Sequence, residues 1–394
     1  MRILTINVNR FRGEKAGTLK NSNEEKDEDL QKEKIRRINE LVGVVIFKDA
    51  DVVVFTEVDN TTMAVSKKSD YFWHYRDALI LALAANKYAS FCYRPWTKGE
   101  KNGAVLIAVK SNLNSKIIVE NQEIKKKVIN ESQKTKKKVS ESNLAVLIAL
   151  KSNPNQNLIT IVENQESKEK IKSNLEFLDD MMIELDKNFS LGKNPKYKTH
   201  YNSTWTRQVA IEVSEIIIYG VYAPILGICS CYHDRCKYFS IVKPGNYIKC
   251  SRTKSEFWDY CIKPVQEELK NRKSIIIGDF NEFRTIDHEE GISSALCCNL
   301  CELEGKEWVD AWKEKNKSVE PPDKARFTYY KKTAKNEDGI GRRLDYAFLS
   351  KSLSKHLVAA EHLHDVRQDG LSDHSALLIE LDLGEENNQA AQQP

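Results

Sequence analysis

Four short segments carry polar residues where a β-rich core would reject them. They are Asn7 in TINVN, Glu57 in FTEVD, Asp279 and Asn281 in GDFN, and Asp373 and His374 in LSDH. Each sits at the end of a run whose alternation or β-branched content predicts a strand. A fifth segment, RRLDY, sets Asp345 within an apolar strand. Carboxylates, asparagines and a histidine at strand ends suit metal-assisted phosphoryl chemistry. Mg²⁺ takes oxygen ligands, commonly one or two carboxylates together with substrate phosphate. Such an ion offsets charge on the reacting phosphate and helps to activate water. A histidine oriented by a buried carboxylate can bond a developing oxyanion or handle a proton. The plainer reading of Asn7 is a loop cap, and that of Asp345 is a structural buried carboxylate.

Elements able to position these residues are legible around them. Residues 3–8 alternate as a first strand, and a polar, charge-rich loop runs from Gly13 to about Asp29. In EKIRRINELVGVVIF, Ile35, Ile38, Leu41, Val42 and Val45 share one helical face. DVVVFTEV then reads as a buried strand, so the chain opens strand–helix–strand, as an α/β domain does. Further strands are expected in SEIIIYGVYAP, SIIIGDFN, RRLDYAFLS and ALLIELDL, and helices in KSEFWDYCIKPVQEEL and NLCELEGKEWVDAWKE. Residues from Glu385 onward form a polar tail expected to fray.

The middle of the chain repeats itself. AVLIAVKSN followed by IVENQE, within residues 104–123, recurs as AVLIALKSN followed by IVENQE within residues 145–166. A tandem duplication of one strand unit explains this, and two copies do not make a stacking array. Only one copy need occupy the sheet. The lysine-rich stretch between them, EIKKKVINESQKTKKKVSESN, could meet a phosphate backbone; a solvated insertion is the simpler reading.

Bulk properties exclude some classes. The chain has 394 residues, 41% hydrophobic and 30% charged, with a formal net charge of +4. That composition is globular rather than disordered. No apolar run has the length of a membrane span, and the N-terminus turns polar too soon for a signal peptide. The nine cysteines are expected as reduced thiols in a cytoplasmic protein. CSCYHDRC (Cys229, Cys231, His233, Cys236) and CCNLC (Cys297, Cys298, Cys301) invite a zinc reading, but the first is too tightly spaced and no second pair lies at standard distance. A cysteine-rich insertion loop is the expectation. The aromatic residues of FWHY (72–75) and YRPW (93–96) could stack on bases, but packing is the expectation for them.

In order along the chain, TINVNRFRG, FTEV, YGVYAP, GDFN, WVDAW, FTYY, RRLDYAFLS and LSDHSALLIEL resemble the endonuclease/exonuclease/phosphatase superfamily, which includes DNase I and exonuclease III-type enzymes. The resemblance spans residues 3 to 383 and is thinnest in the middle. It implies an α/β four-layer sandwich, two mixed β-sheets face to face and flanked by helices, with the site at one edge. It implies one domain over residues 1–384, with a lysine-rich duplicated or inserted segment at about 110–200. By matching motif, Glu57 is implied as the principal metal ligand, with Asn7 beside it and Asp373 as a further metal-side carboxylate. Asp279 would orient or deprotonate the attacking water and Asn281 would hold a phosphate oxygen. His374 would contact the scissile phosphate, with Asp345 fixing its tautomer. Tyr222 matches a tyrosine that approaches the phosphate in the exonuclease III branch, although a tyrosine after a strand also suits packing. The chain departs from that branch at Ile225, where asparagine commonly follows YAP, and at Asn9, where some relatives carry an acidic residue. Arg207, in TRQVAIEV, could contact phosphate but is expected as a surface arginine.

The resulting expectation is a Mg²⁺-dependent phosphodiester hydrolase, with Mn²⁺ as the alternative ion. It is expected to be a monomeric DNA endonuclease or exonuclease, of the kind used in DNA repair, working by in-line water attack without stable membrane association. Tyr222 in place of histidine, the GRRLDY form and the lysine-rich middle favour nucleic acid, DNA ahead of RNA. One alternative is a phosphoesterase acting on a phosphoinositide, sphingomyelin or a small phosphate ester. Another is a catalytically silent binding module on the same fold.

Overall fold

The computed structural model describes residues 1–11, 28–59, 62–64, 72–93, 104–113, 115–117, 207–224, 257–290, 298–305, 307–318, 323–333 and 336–384. The chain opens with β1 (Arg2–Asn7), α1 (Glu28–Phe47) and β2 (Val52–Val58), in the order the sequence predicts. β1 and β2 run parallel, with Asn7 opposite Thr56. After the small pair β3 (Thr62–Ala64) and β4 (Phe72–His74) come α2 (Tyr75–Ala85), β5 (Tyr88–Tyr93) and β6 (Ala104–Lys110). The first repeat copy therefore supplies β6, between β2 and β5. The second copy lies outside the described residues, as does CSCYHDRC.

The next group is β7 (Ser115–Ile117), β8 (Gln208–Val213), β9 (Ile216–Tyr222), a π-helical turn Trp258–Ile262 leading into α3 (Lys263–Leu269), and β10 (Ser274–Asp279). Then come α4 (Cys298–Gly305), β11 (Trp308–Asp310), α5 (Ala311–Lys315), the hairpin β12 (Tyr329–Thr333) and β13 (Asn336–Arg342), and β14 (Asp345–Ser350). The chain closes with α6 (Lys351–Ser354), β15 (Leu357–Leu363), α7 (Asp365–Gln368) and β16 (Ala376–Leu381). One sequence expectation fails here: NLCELEGKEWVDAWKE is not one helix. Trp308 and Asp310 pair with Ser350 and Phe348 as a sheet edge. Asp310 then caps α5 by accepting from the Lys313 amide at 3.2 Å. Sheet pairing outweighs helix propensity where a neighbouring strand edge is available.

Two six-stranded mixed sheets result, ordered β15-β16-β1-β2-β6-β5 and β11-β14-β10-β9-β8-β7. Alternate residues of each strand point to opposite faces. Ile3, Val52, Val54, Ile107 and Val109 of the first sheet therefore meet Ile211, Ile218, Ile275, Ile277 and Leu349 of the second in one core. The opposite face of the first sheet, with Leu4, Val53 and Phe55, packs on the apolar stripe of α1 that runs through Ile38, Leu41 and Val45. The outer face of the second sheet, with Ile217, Tyr219 and Ile276, is covered by Phe257, Trp258, Ile262 and Leu269. These are the four layers that the family resemblance implies. Each such aliphatic side chain contributes about 1.5–3 kcal/mol by leaving water. The sheets approach closely at Gly220, where a Cβ would lie 2.9 Å from Val54 and Val105 methyl groups.

Candidate active site

Strand direction gathers the polar residues at one edge. β9 and β10 are parallel, so Tyr222 and Asp279 end side by side. β14 runs antiparallel to β10, which sets its first residue, Asp345, opposite Asp279. β16 is antiparallel to β1, so the LSDH segment just before it arrives at the end of the sheet where Asn7 leaves β1. Asn7 then crosses between the sheets, its side-chain amide donating to Asp279 Oδ2 at 2.9 Å. The Asn7 side-chain oxygen is occupied by the Asn9 amide at 2.8 Å.

Local backbone aims each group. Gly278 has φ of +143°, and a Cβ there would sit 2.0 Å from the Val221 carbonyl oxygen. Only glycine fits before Asp279. Asn281 has φ of 48°; its backbone amide donates to Asp279 Oδ1 at 2.7 Å. Its side-chain amide donates to the Ala223 carbonyl at 2.9 Å. Glu57 has φ of 57° and falls where the β2–β6 register shifts between Phe55 and Val58. Such a bulge turns a side chain out of the regular alternation.

His374 and Asp345 form a buried pair, with His374 Nδ1 2.8 Å from Asp345 Oδ2. Neighbouring groups fix both partners. Thr328 Oγ1 accepts from the Leu344 and Asp345 amides at 3.0 and 3.3 Å, and the Thr328 carbonyl accepts from the Ser375 amide at 2.7 Å. Ser372 donates to the Asn7 carbonyl at 2.5 Å and accepts from the His374 amide at 3.0 Å. The Tyr329 ring packs on the imidazole at 4.9 Å between centroids.

The electrostatics follow from crowding acids where water is excluded. Burial raises the Asp279 carboxyl to about 7; Asp345 and Glu57 add to the rise, while His374 and the Asn281 amide oppose it. Burial alone would lower His374, but the charge and hydrogen bond of Asp345, with Asp373 and Asp279 nearby, lift it to about 10. Burial also raises Glu57; the Asp373 charge adds to this, and Arg10 and the Asn7 amide work against it. Burial and the charge of Glu57 push the Tyr222 phenol up, so it stays protonated.

Asn7, Asp279, Asn281, Asp345 and His374 are thus joined by hydrogen bonds or strand pairing, and Glu57, Asp373 and Tyr222 lie within electrostatic reach of them. Arg207 corrects a sequence expectation. It is buried, 8% exposed, with its guanidinium 4.6 Å over the Tyr222 ring. Burial of the aliphatic stem and cation–π stacking draw it off the surface. Sequence reading also passed over Arg10, Thr328 and Ser372. The last two stand in FTYY and LSDH, whose order was itself a signal.

A second buried cluster adjoins β14. Arg284 Nε and Arg326 Nε meet Asp287 at 2.6 and 3.1 Å. Arg284 Nη2 meets Asp310 at 2.7 Å, and Arg343 also pairs with Asp310. Tyr346 donates to Asp287 at 3.1 Å. Burial would raise Asp287 and Asp310, yet Arg343 and Arg284 beside them hold both below the ordinary carboxylate value.

Among solved structures, the 3′–5′ exonuclease NExo from Neisseria meningitidis aligns over 97% of this chain and 100% of its own, at 13% identity and TM-score 0.51. The chain has the endonuclease/exonuclease/phosphatase fold. The 3′ phosphatase NExo from Neisseria bound to a product DNA hairpin aligns at 13% identity over 97% and 99% of the two chains, with TM-score 0.49. An AP endonuclease from Archaeoglobus fulgidus aligns at 11% identity over 97% and 100%, with TM-score 0.49. No family model and no curated protein matches the chain by sequence. Among the described residues, no helix is long and apolar enough to cross a membrane.

Proposed function

We propose that this protein is a divalent-metal-dependent phosphodiesterase that cleaves nucleic acid, DNA in the first instance. The observation that carries this reading is the junction of Asp279 with Asn7 and Asn281 on one side and the His374–Asp345 pair on the other. Support for the substrate class comes from the nucleases that share the fold and from the GRRLDY and Tyr222 features of the sequence.

A metal ion fits the donor set. Asp279, Asp345 and His374 offer ligand atoms within 4.8 Å of one another, but His374 is held as an imidazolium by Asp345 and so is a poor ligand. Glu57 and Asp373 form the better oxygen set, because they repel each other and a hard cation relieves that repulsion; the Asn7 side-chain oxygen, which accepts from the Asn9 amide at 2.8 Å, would offer its second lone pair beside them. When bound, the ion supplies charge neutralisation at the phosphate and a more acidic water.

The chain's own groups account for the rest. Asp279, with its carboxyl near neutrality, accepts the proton of the attacking water. The Asn281 side-chain amide, which donates to the Ala223 carbonyl and to Asp279 Oδ2 at 2.9 and 3.1 Å, would turn the second of these protons to a phosphate oxygen during in-line displacement. Protonated His374, oriented by Asp345, bonds a phosphate oxygen as charge grows on it. Tyr222 contributes a neutral hydroxyl at the same edge.

The test is cleavage of an end-labelled duplex with one abasic site, beside an intact plasmid, in Mg²⁺ and then in EDTA. The Asp279→Asn, His374→Ala double variant controls for contamination. Metal-dependent cutting by the wild type alone supports the reading, and the preferred DNA assigns endo- or exonucleolytic action. Intact DNA from a folded, metal-binding protein would turn the search to RNA and phospholipid head groups.

A further inference from the structure

Arg10 lies in the 3₁₀ turn Asn9–Phe11, whose three residues have φ of 42°, 51° and 58°. Left-handed backbone is unfavourable for any residue with a Cβ, so the surroundings must impose it. Val8 donates to the Thr56 carbonyl at 3.0 Å and Phe11 to the Val8 carbonyl at 2.7 Å. Phe11 is buried in the core below α1, and Arg37 donates to its carbonyl at 3.2 Å. The turn is therefore pinned at both ends. Its middle residue projects toward Glu57, with Arg10 Nε 3.6 Å from Glu57 Oε1. That separation is an ion pair but too long for a hydrogen bond, and the buried Nε has no hydrogen-bond partner among the described residues. Glu57 is itself left-handed, with φ of 57°. Two strained residues from separate segments thus present opposite charges to each other at the site. Strained backbone clusters at active sites and ligand clamps, and this contact lies at the candidate site.

We propose that Arg10 is a resident counter-cation for Glu57 that a divalent ion must displace, so that Arg10 sets the affinity of the metal site. The inference rests on the metal role proposed for Glu57 and goes beyond it. From the other segments, Asp373, His374 and Tyr222 lie within electrostatic reach of Glu57. Arg10 is thus the arginine placed against the carboxylate that a metal would use. A guanidinium cannot be deprotonated, so it competes at every working pH. With substrate absent, the site keeps a neutralised Glu57; ion binding moves the guanidinium off the carboxylate.

The experiment is Mn²⁺ binding by the full-length chain, read as free Mn²⁺ by electron paramagnetic resonance, without substrate. Wild type, Arg10→Gly, Arg10→Lys and Glu57→Gln are compared. Glycine relaxes the left-handed backbone and so should keep the fold. Arg10→Gly is expected to tighten binding about tenfold, the order of a removed like charge at this range. Arg10→Lys, which keeps the charge, should stay within about twofold of wild type. Arg10→Gly equal to or weaker than wild type overturns the proposal, as does equal tightening by Gly and Lys. If Glu57→Gln loses binding while Arg10→Gly matches wild type, the inference alone falls. If Glu57→Gln binds like wild type, the metal role of Glu57 falls with it.

Discussion

Asp279 and Asp287 are both buried, at 1% and 0% exposure, yet their carboxyls move in opposite directions. Asp287 sits among Arg284, Arg326 and Arg343 and is held below its ordinary value. Asp279 faces Asp345 and Glu57, with His374 as the nearby cation, and rises to about 7. The difference lies in the company each acid keeps, since both have lost their water. A compensated cluster stays charged at neutral pH and fastens elements together. An undercompensated one keeps a carboxyl poised to exchange a proton. The fold places the two clusters side by side, Arg343 leading into the same strand that Asp345 begins.

Three substitutions would sharpen or break that contrast. Arg343→Met should have the largest effect, because it leaves Asp310 and Asp287 buried with less counter-charge. A loss of about 3–5 kcal/mol is expected, measured by urea unfolding at neutral pH. A loss below about 1 kcal/mol would mean that the second cluster is not a fastening.

Asp345→Asn comes next. Removing its charge takes away the largest influence that opposes burial, so the His374 imidazole should titrate well below its value of about 10. Imidazole ¹⁵N shifts in the metal-free protein report this directly, and cleavage at pH 8 should fall by about 10²–10³-fold. An unchanged titration would remove Asp345 as the cause of the raised value.

Asp279→Asn comes last and should have the opposite sign from Arg343→Met. A carboxyl whose folded value of about 7 exceeds its unfolded value favours folding below that unfolded value. It loses this advantage as pH rises through about 7. The variant should therefore lie near wild type at pH 4 and exceed it by at most about 4 kcal/mol at pH 8. Thermal unfolding across that range checks it. Equal stability at both pH values would show that His374 already compensates Asp279 fully.

Much of the layering was legible in the sequence. Alternation and β-branched runs mark β1, β2, β9, β10, β14 and β16, since a strand buried on one or both faces has a fixed side-chain period. The α1 stripe of Ile35, Ile38, Leu41, Val42 and Val45 is likewise periodic, and all five pack in one core. Where pairing rather than periodicity decides, the sequence misleads, as in the helix expected through Trp308–Asp310. The ion cluster was also hidden, because Arg284, Asp287, Asp310, Arg326 and Arg343 have no spacing in common and meet only through the fold.

The sequence by itself determined which residue types stand at the strand ends, because polar side chains bounding apolar runs need no partner to be recognised. Tertiary structure decided how those ends converge: Asn7 bridging to Asp279, Asp345 opposite Asp279, and Arg207 folded onto Tyr222 rather than into water. It also decided the charge states, since a carboxyl's proton affinity depends on burial and neighbouring charge. Asp279 and Asp287 are the same residue type in the sequence and become different chemical groups only when the sheets close around them.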